Sequence, residues 1–174
     1  MNYPTTFPVL STERLTLRQL SFNDRRAIFK LHCNKEINQL ITREAPKNLN
    51  DSDAFIKRCS DKFEKEDCLL WALQLIETNQ IIGTIAFQNM DLKNNYAEIN
   101  YELNPDFQKE GFMSEAMKPV LDFGKNTINL KAIEAFTHKD NNPSITLLDK
   151  HQFVLQEDEF FNGNQLFLFD INQQ

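Results

Sequence analysis

Residues 101–116, Tyr-Glu-Leu-Asn-Pro-Asp-Phe-Gln-Lys-Glu-Gly-Phe-Met-Ser-Glu-Ala, decide the reading of this chain. Tyr101 and Leu103 close an alternating run that begins upstream, and Asn104-Pro105-Asp106 interrupts it. After Gly111, the apolar residues Phe112, Met113, Ala116, Met117, Val120 and Leu121 fall on one helical face. The stretch predicts a strand end, a short polar turn and the first turn of a helix. A helix start leaves its first backbone N–H groups without internal partners, and the helix dipole adds partial positive charge there. Such a spot attracts a diphosphate, and glycine lets it approach the backbone closely. The chain has only four glycines, and one of them stands here.

Working outward, residues 12–20 alternate, with Leu15 and Leu17 inward, and predict a first strand. Ser21-Phe22-Asn23-Asp24 supplies N-cap chemistry for a helix reaching about Cys33, with Ala27, Ile28 and Leu31 on its buried face. Residues 34–50 are irregular, with a short apolar piece at Ile37, Leu40 and Ile41 and with Pro46 as a breaker. Asp51-Ser52-Asp53 predicts the cap of a second helix over residues 54–66. Residues 69–76 and 81–87 read as a hairpin, and Gly83 inside its second strand marks a bulge or a close backbone approach. A polar turn then leads into the strand 96–103.

Pro119 lies past the first turn of the central helix, where it deletes one backbone hydrogen bond; a bend is expected there, not a break. Residues 131–138 alternate as a strand and 141–150 read as a short helix. Two last strands, 153–156 and 166–171, flank a reversal signal at Asn162-Gly163. There is no internal repeat or low-complexity tract, so residues 1–174 are read as one α/β domain.

Gln108-Lys109-Glu110-Gly111-Phe112-Met113 resembles the Gln/Arg-x-x-Gly-x-Gly/Ala signature of the GNAT superfamily of acyl-CoA-dependent N-acetyltransferases. Three further phrases are similar to the RimJ/RimL-like branch, the ribosomal-protein N-terminal acetyltransferases and their relatives. These are Thr12-Glu13-Arg14-Leu15-Thr16-Leu17-Arg18, then Ile81-Ile82-Gly83-Thr84-Ile85, then Asn141 to Lys150 followed by Phe153. The last follows the pattern Asn-x-x-Ser-x-x-Leu-Leu/Tyr-Glu-Lys-x-Gly-Phe, with Gln152 where the pattern has glycine.

The resemblance spans residues 12–169. It implies an α/β (α+β) GNAT fold, a mixed and mostly antiparallel sheet splayed at its centre with helices on both faces. It also implies acetyl-CoA as co-substrate, no metal, and direct attack by a primary amine, foremost a protein N-terminal amine. A small amine (an antibiotic, a polyamine or an amino acid) is the alternative acceptor. A catalytically silent acyl-CoA-binding module is the alternative of another class.

By the same resemblance, backbone N–H groups of Gln108, Lys109, Glu110, Gly111, Phe112, Met113 and Ser114 cradle the pyrophosphate. The backbone from Tyr101 to Leu103 pairs with the pantetheine arm like an added strand, and Asn141 hydrogen-bonds the pantetheine or the acetyl end. Ala97-Glu98-Ile99 resembles a phrase in which some members place a catalytic glutamate, making Glu98 the candidate base; a structural salt bridge or hydrogen bond is its other reading. Glu98, Asn100 and Glu102 alternate onto one strand face, and apolar walls raise the pKa of a carboxylate. His138, near Asn141, is the second candidate base, while His32 and His151 have no partner pattern.

Many members use a tyrosine as the acid, but Leu148 occupies that position here, so Ser144 is the candidate donor to the leaving thiolate. Its other reading is the helix cap. Lys109-Glu110 stands where many relatives carry Gly and a basic residue, which sets a carboxylate beside the diphosphate unless it points into water.

The bulk numbers set outer bounds. A chain of 174 residues buries roughly 70% of its unfolded surface as one domain, and fifteen Phe supply a sizeable core. Three cysteines, with no Cys-x-x-Cys pair, point to a reducing compartment and no zinc site. No basic leader or apolar span is evident, so a cytoplasmic enzyme without a membrane partner is expected. The net charge of −6 argues against nucleic acid and suits a cationic amine. The sequence leaves a homodimer open.

Overall fold

The computed structural model describes residues 2–39, 41, 43–91, 93–161 and 163–171. The elements run β1 (Leu10–Ser11), β2 (Leu15–Gln19), α1 (Arg25–His32), α2 (Lys35–Asn38), α3 (Leu49–Glu64), β3 (Leu69–Leu75), β4 (Ile81–Asp91) and β5 (Tyr96–Leu103). They continue with α4 (Phe112–Phe123), β6 (Ala132–His138), α5 (Asn142–Lys150), β7 (Val154–Phe161) and β8 (Asn164–Asp170). One sheet has the order β1-β2-β3-β4-β5-β6-β8-β7.

Every neighbouring pair is antiparallel except β5 and β6. A parallel pair needs a crossover, and α4 supplies it. Among the described residues β5 and β6 pair at Tyr96–Ala132, Ala97–Ile133 and Glu98–Glu134. Beyond Glu98, β6 stays with β8 to His138, while residues 99–103 remain paired with β4 alone. The sheet is therefore open at its middle.

Side-chain alternation builds a core on each face. Trp71, Leu73, Ile85, Phe87, Ala97 and Ile99 pack with Met113, Ala116, Met117 and Val120 of α4 and Leu148 of α5. On the other face Ala72 packs with Ile28 of α1 and Ile56 of α3. The sheet thus carries helices on both faces. Trp71 is fully buried, with edge-on contacts to Phe7, Phe87 and Phe123, and its Nε1 donates to the Pro8 carbonyl at 2.8 Å.

α3 starts earlier than the Asp51–Asp53 signal suggests. Asn48 and Asp51 form a reciprocal capping box, so the helix begins at Leu49. Within the segment expected to be irregular, Asn34 accepts from the Glu36 and Ile37 amides and starts the four-residue α2. β4 and β7 also run beyond their expected ends. Leu40 and Asn162, parts of two sequence signals, lie outside the described residues. α4 continues unbroken through Pro119 and passes into a π turn at Gly124–Ile128.

Gly83 pairs with Leu103 beside a register shift in β3–β4, and a Cβ there would strike the Glu102 carbonyl. Close backbone approach, not a special φ, is why glycine occupies this point.

At the end of β2, Arg18 grips Asp24 through two bonds of 2.8 Å. Burial pulls the Asp24 pKa upward, but hydrogen bonds from Arg18 and Ser21 outweigh it and hold the group below its usual range. A depressed carboxylate stabilises the fold above its unfolded pKa of about 3.9, and that contribution disappears as pH falls through the folded value. Thermal unfolding of Asp24→Asn against the parent should show a deficit near neutral pH that narrows below about pH 4.

Candidate active site

The turn after β5 is built by local chemistry. Asn104 caps a short 3-10 turn at Pro105–Phe107, and the Gln108 side chain donates back to the Leu103 carbonyl at 3.2 Å. Lys109 and Gly111 adopt left-handed φ values of 65° and 85°. Space exists for a Cβ on Gly111, since its nearest neighbour would be the Arg14 guanidinium at 3.7 Å. The left-handed φ, rather than crowding, selects glycine here. The amides of Phe112, Met113 and Ser114 then open α4, with no carbonyl four residues back inside the helix.

Arg14, at the head of β2, braces this turn. Its Nη2 donates to the Glu110 carbonyl at 3.1 Å, its Nε donates to Glu115 at 2.7 Å, and its guanidinium lies 4.0 Å from the centre of the Phe112 ring. Burial pulls the Glu115 pKa upward, but Thr12 and Arg14 outweigh it and hold the group below its usual range. The Arg14 charge offsets that carboxylate in the first turn of α4. Lys109 and Glu110 are exposed. Ser114 is buried, with its hydroxyl 2.9 Å from His151 Nε2, so only its backbone is left to serve a ligand.

The opening between β5 and β6 lies beside this turn. On the α4 and α5 face, the hydroxyls of Tyr101 and Ser144 are 2.7 Å apart. Asn141 is the cap of α5, accepting from the Ser144 amide at 3.3 Å, so the Ser144 hydroxyl is free of capping duty. Burial pushes the Tyr101 phenol up to about 12, against the pull of the Ser144 hydrogen bond. Sequence reasoning assigned Tyr101 for its backbone alone. Leu148, which stands in place of the common tyrosine, is buried in the core, and the phenol here comes from the strand.

The opposite face holds the carboxylates. Glu98 lies where β5 and β6 are still paired, and it accepts hydrogen bonds from Gln88 (3.2 Å), Asn89 (2.7 Å) and Asn100 (2.6 Å). Glu102 lies where β6 has left, and it meets His32 Nε2 at 3.1 Å and Arg43 at 2.5 Å. His32 borders a cavity of about 530 Å³ with Arg43, Phe55 and Arg58. Sequence reasoning missed this grouping; its one signal was Glu102 sharing a strand face with Glu98. His138 is half-exposed at the surface, 3.5 Å from Asp140.

A family profile described as the acetyltransferase (GNAT) domain matches residues 14–154. The chain belongs to the GNAT acetyltransferase family. It is 32% identical over 161 residues to the uncharacterized N-acetyltransferase YoaA of Bacillus subtilis, covering 90% of this chain and 91% of that protein. This GNAT chain is therefore an acyltransferase.

Its fold matches RimL, a ribosomal L7/L12 α-N-protein acetyltransferase in complex with coenzyme A, at a TM-score of 0.81 and 17% identity, covering 97% and 99% of the two chains. It also matches the microcin C7 self-immunity acetyltransferase MccE, solved with acetyl-CoA and AMP, at 0.78 and 22%, covering 91% and 93%. Among the described residues no helix is long and apolar enough to cross a membrane, and no three His, Cys, Asp or Glu gather as a metal site.

Proposed function

We propose that this GNAT enzyme transfers an acetyl group from acetyl-CoA to a primary amine, foremost the N-terminal amine of a protein. The observation that carries this is the start of α4 at Gly111, opening beside a gap in which Tyr101 and Ser144 are hydrogen-bonded. Amides of residues 108–114 would hold the pyrophosphate, aided by the helix dipole. The edge of β5 from Tyr101 to Leu103, which β6 does not pair, would hold the pantetheine arm as an added strand, with the amide of Asn141 near its acyl end. Ser144 would donate to the departing thiolate, with Tyr101 fixing its hydroxyl. RimL supports the protein acceptor by its fold alone. A small amine is the second reading, favoured by the 530 Å³ cavity, which falls in the size range of small-molecule sites.

The test is thermal stabilisation by acetyl-CoA, followed by thiol release over a panel of peptides and small amines. A ligand at 100 times its Kd should stabilise the fold by about 2.7 kcal/mol. Gly111→Val should lose most of that stabilisation and cost roughly 1–2 kcal/mol on its own, because a β-branched residue is strained at φ 85°. Stabilisation without turnover of any amine would instead favour a silent acyl-CoA-binding module. An unaltered acetyl-CoA response in Gly111→Val would remove the turn from coenzyme binding.

A further inference from the structure

We propose that His32, held by the buried carboxylate of Glu102 and bordering the 530 Å³ cavity, takes the proton from the acceptor amine. This rests on the acetyl-transfer reading above. The side chains of His32 and Glu102 are each only 8% exposed, although they come from α1 and β5, seventy positions apart. Burying an ionised carboxylate costs several kcal/mol unless it is well paired. Here Oε1 meets His32 at 3.1 Å and Thr84 at 3.4 Å, and Oε2 meets Arg43 at 2.5 Å. Burial pulls the Glu102 pKa upward, and the His32 and Arg43 hydrogen bonds outweigh it. An ionised carboxylate only accepts, so His32 Nε2 is the donor and the lone pair of the neutral ring resides on Nδ1.

Phe55 stands edge-on to the imidazole, 4.6 Å between ring centres, and fixes its plane. The charged groups around it are Glu102 from β5, Arg43, Glu44 and Lys47 from the segment before α3, and Asp51 and Arg58 from α3. Position on the strand supplies the second argument. Tyr101 and Glu102 are neighbours that face opposite sides of β5, in the half that β6 no longer covers. Ser144 thus lies on one face of the gap and the His32–Glu102 pair on the other. Glu98, by contrast, lies in the paired half with three amide donors on its carboxylate.

His32 Nδ1 takes one proton from the ammonium and later returns it to water. The freed lone pair forms the C–N bond at the thioester carbonyl as the C–S bond breaks. The second nitrogen proton is lost to solvent while the sulfur takes one from Ser144, which solvent restores.

The experiment measures kcat between about pH 5.5 and 9 with acetyl-CoA and the fastest amine of the panel, for the parent, His32→Gln and Glu102→Gln. His32→Gln should lower kcat about 100-fold and abolish the acidic limb of the profile, with acetyl-CoA affinity within about twofold. Glu102→Gln should move that limb to lower pH, which loss of packing alone would not do. Imidazole nitrogen shifts of the parent at alkaline pH should show the Nε2–H tautomer, a reading independent of how the variants fold. An Nδ1–H tautomer, or a limb that survives in His32→Gln, overturns the proposal; a limb lost only in Glu98→Gln would return the role to Glu98. No turnover by the parent on any amine defeats the acetyl-transfer reading itself, and this proposal with it.

Discussion

Ser144→Ala is expected to lower kcat roughly 100-fold, the lower end of what a positioned proton donor contributes. The Ser144 hydroxyl is held by one side-chain partner, Tyr101 at 2.7 Å, and the cap of α5 belongs to Asn141. Removing the hydroxyl therefore leaves the helix start intact, and acetyl-CoA affinity should hold. Tyr101→Phe deletes the other half of the pair and should cost less, because Ser144 keeps its oxygen but loses its fixed direction. Stopped-flow or steady-state thiol release, with thermal stabilisation by acetyl-CoA as the control for binding, checks both variants. Equal kcat in Ser144→Ala and the parent would leave the departing thiolate to water. A drop in acetyl-CoA affinity matching the drop in kcat would make Ser144 a binding residue instead.

Trp71→Ala is expected to cost about 3–5 kcal/mol of stability, the range for truncating a large buried aromatic. Three rings meet the indole at centroid distances of 5.7, 6.0 and 5.9 Å, and they come from the N-terminal segment, β4 and α4. The truncation opens a cavity among all three and strands the Pro8 carbonyl that the indole now satisfies. A loss of this size lowers Tm by roughly 6–20 °C for a chain of this length. Trp71→Phe should recover part of it, keeping a ring but not the hydrogen bond. Chemical denaturation read by circular dichroism gives the number, and a loss under about 1 kcal/mol would mean the surrounding rings collapse onto the space.

Local patterns carried much of the fold. The strand at 96–103 was legible because polar and apolar residues alternate to its end, and the start of α4 because a glycine precedes an apolar face. α3 could have been placed better: Asn48 and Asp51 stand at capping-box spacing, and the acidic cluster three residues later drew attention away. The site was legible only where it is local. Its turn is contiguous, whereas His32 and Glu102 meet across seventy positions. Which carboxylate of β5 faces the opening depends on where β6 stops pairing, and no pattern within β5 records that. The role of the Tyr101 side chain was not legible for the same reason. Its phenol meets a residue 43 positions away, on a helix whose placement follows from the whole sheet.

Among the described residues, β5 and β6 pair at three positions, and one of them is Ala97 with Ile133, both fully buried. The side chains packed at that joint fix how widely the two halves stand apart. A methyl group added or removed there, far from any reacting atom, would alter the spacing between opposing walls. Defects at this seam would therefore be felt in melting and in turnover together.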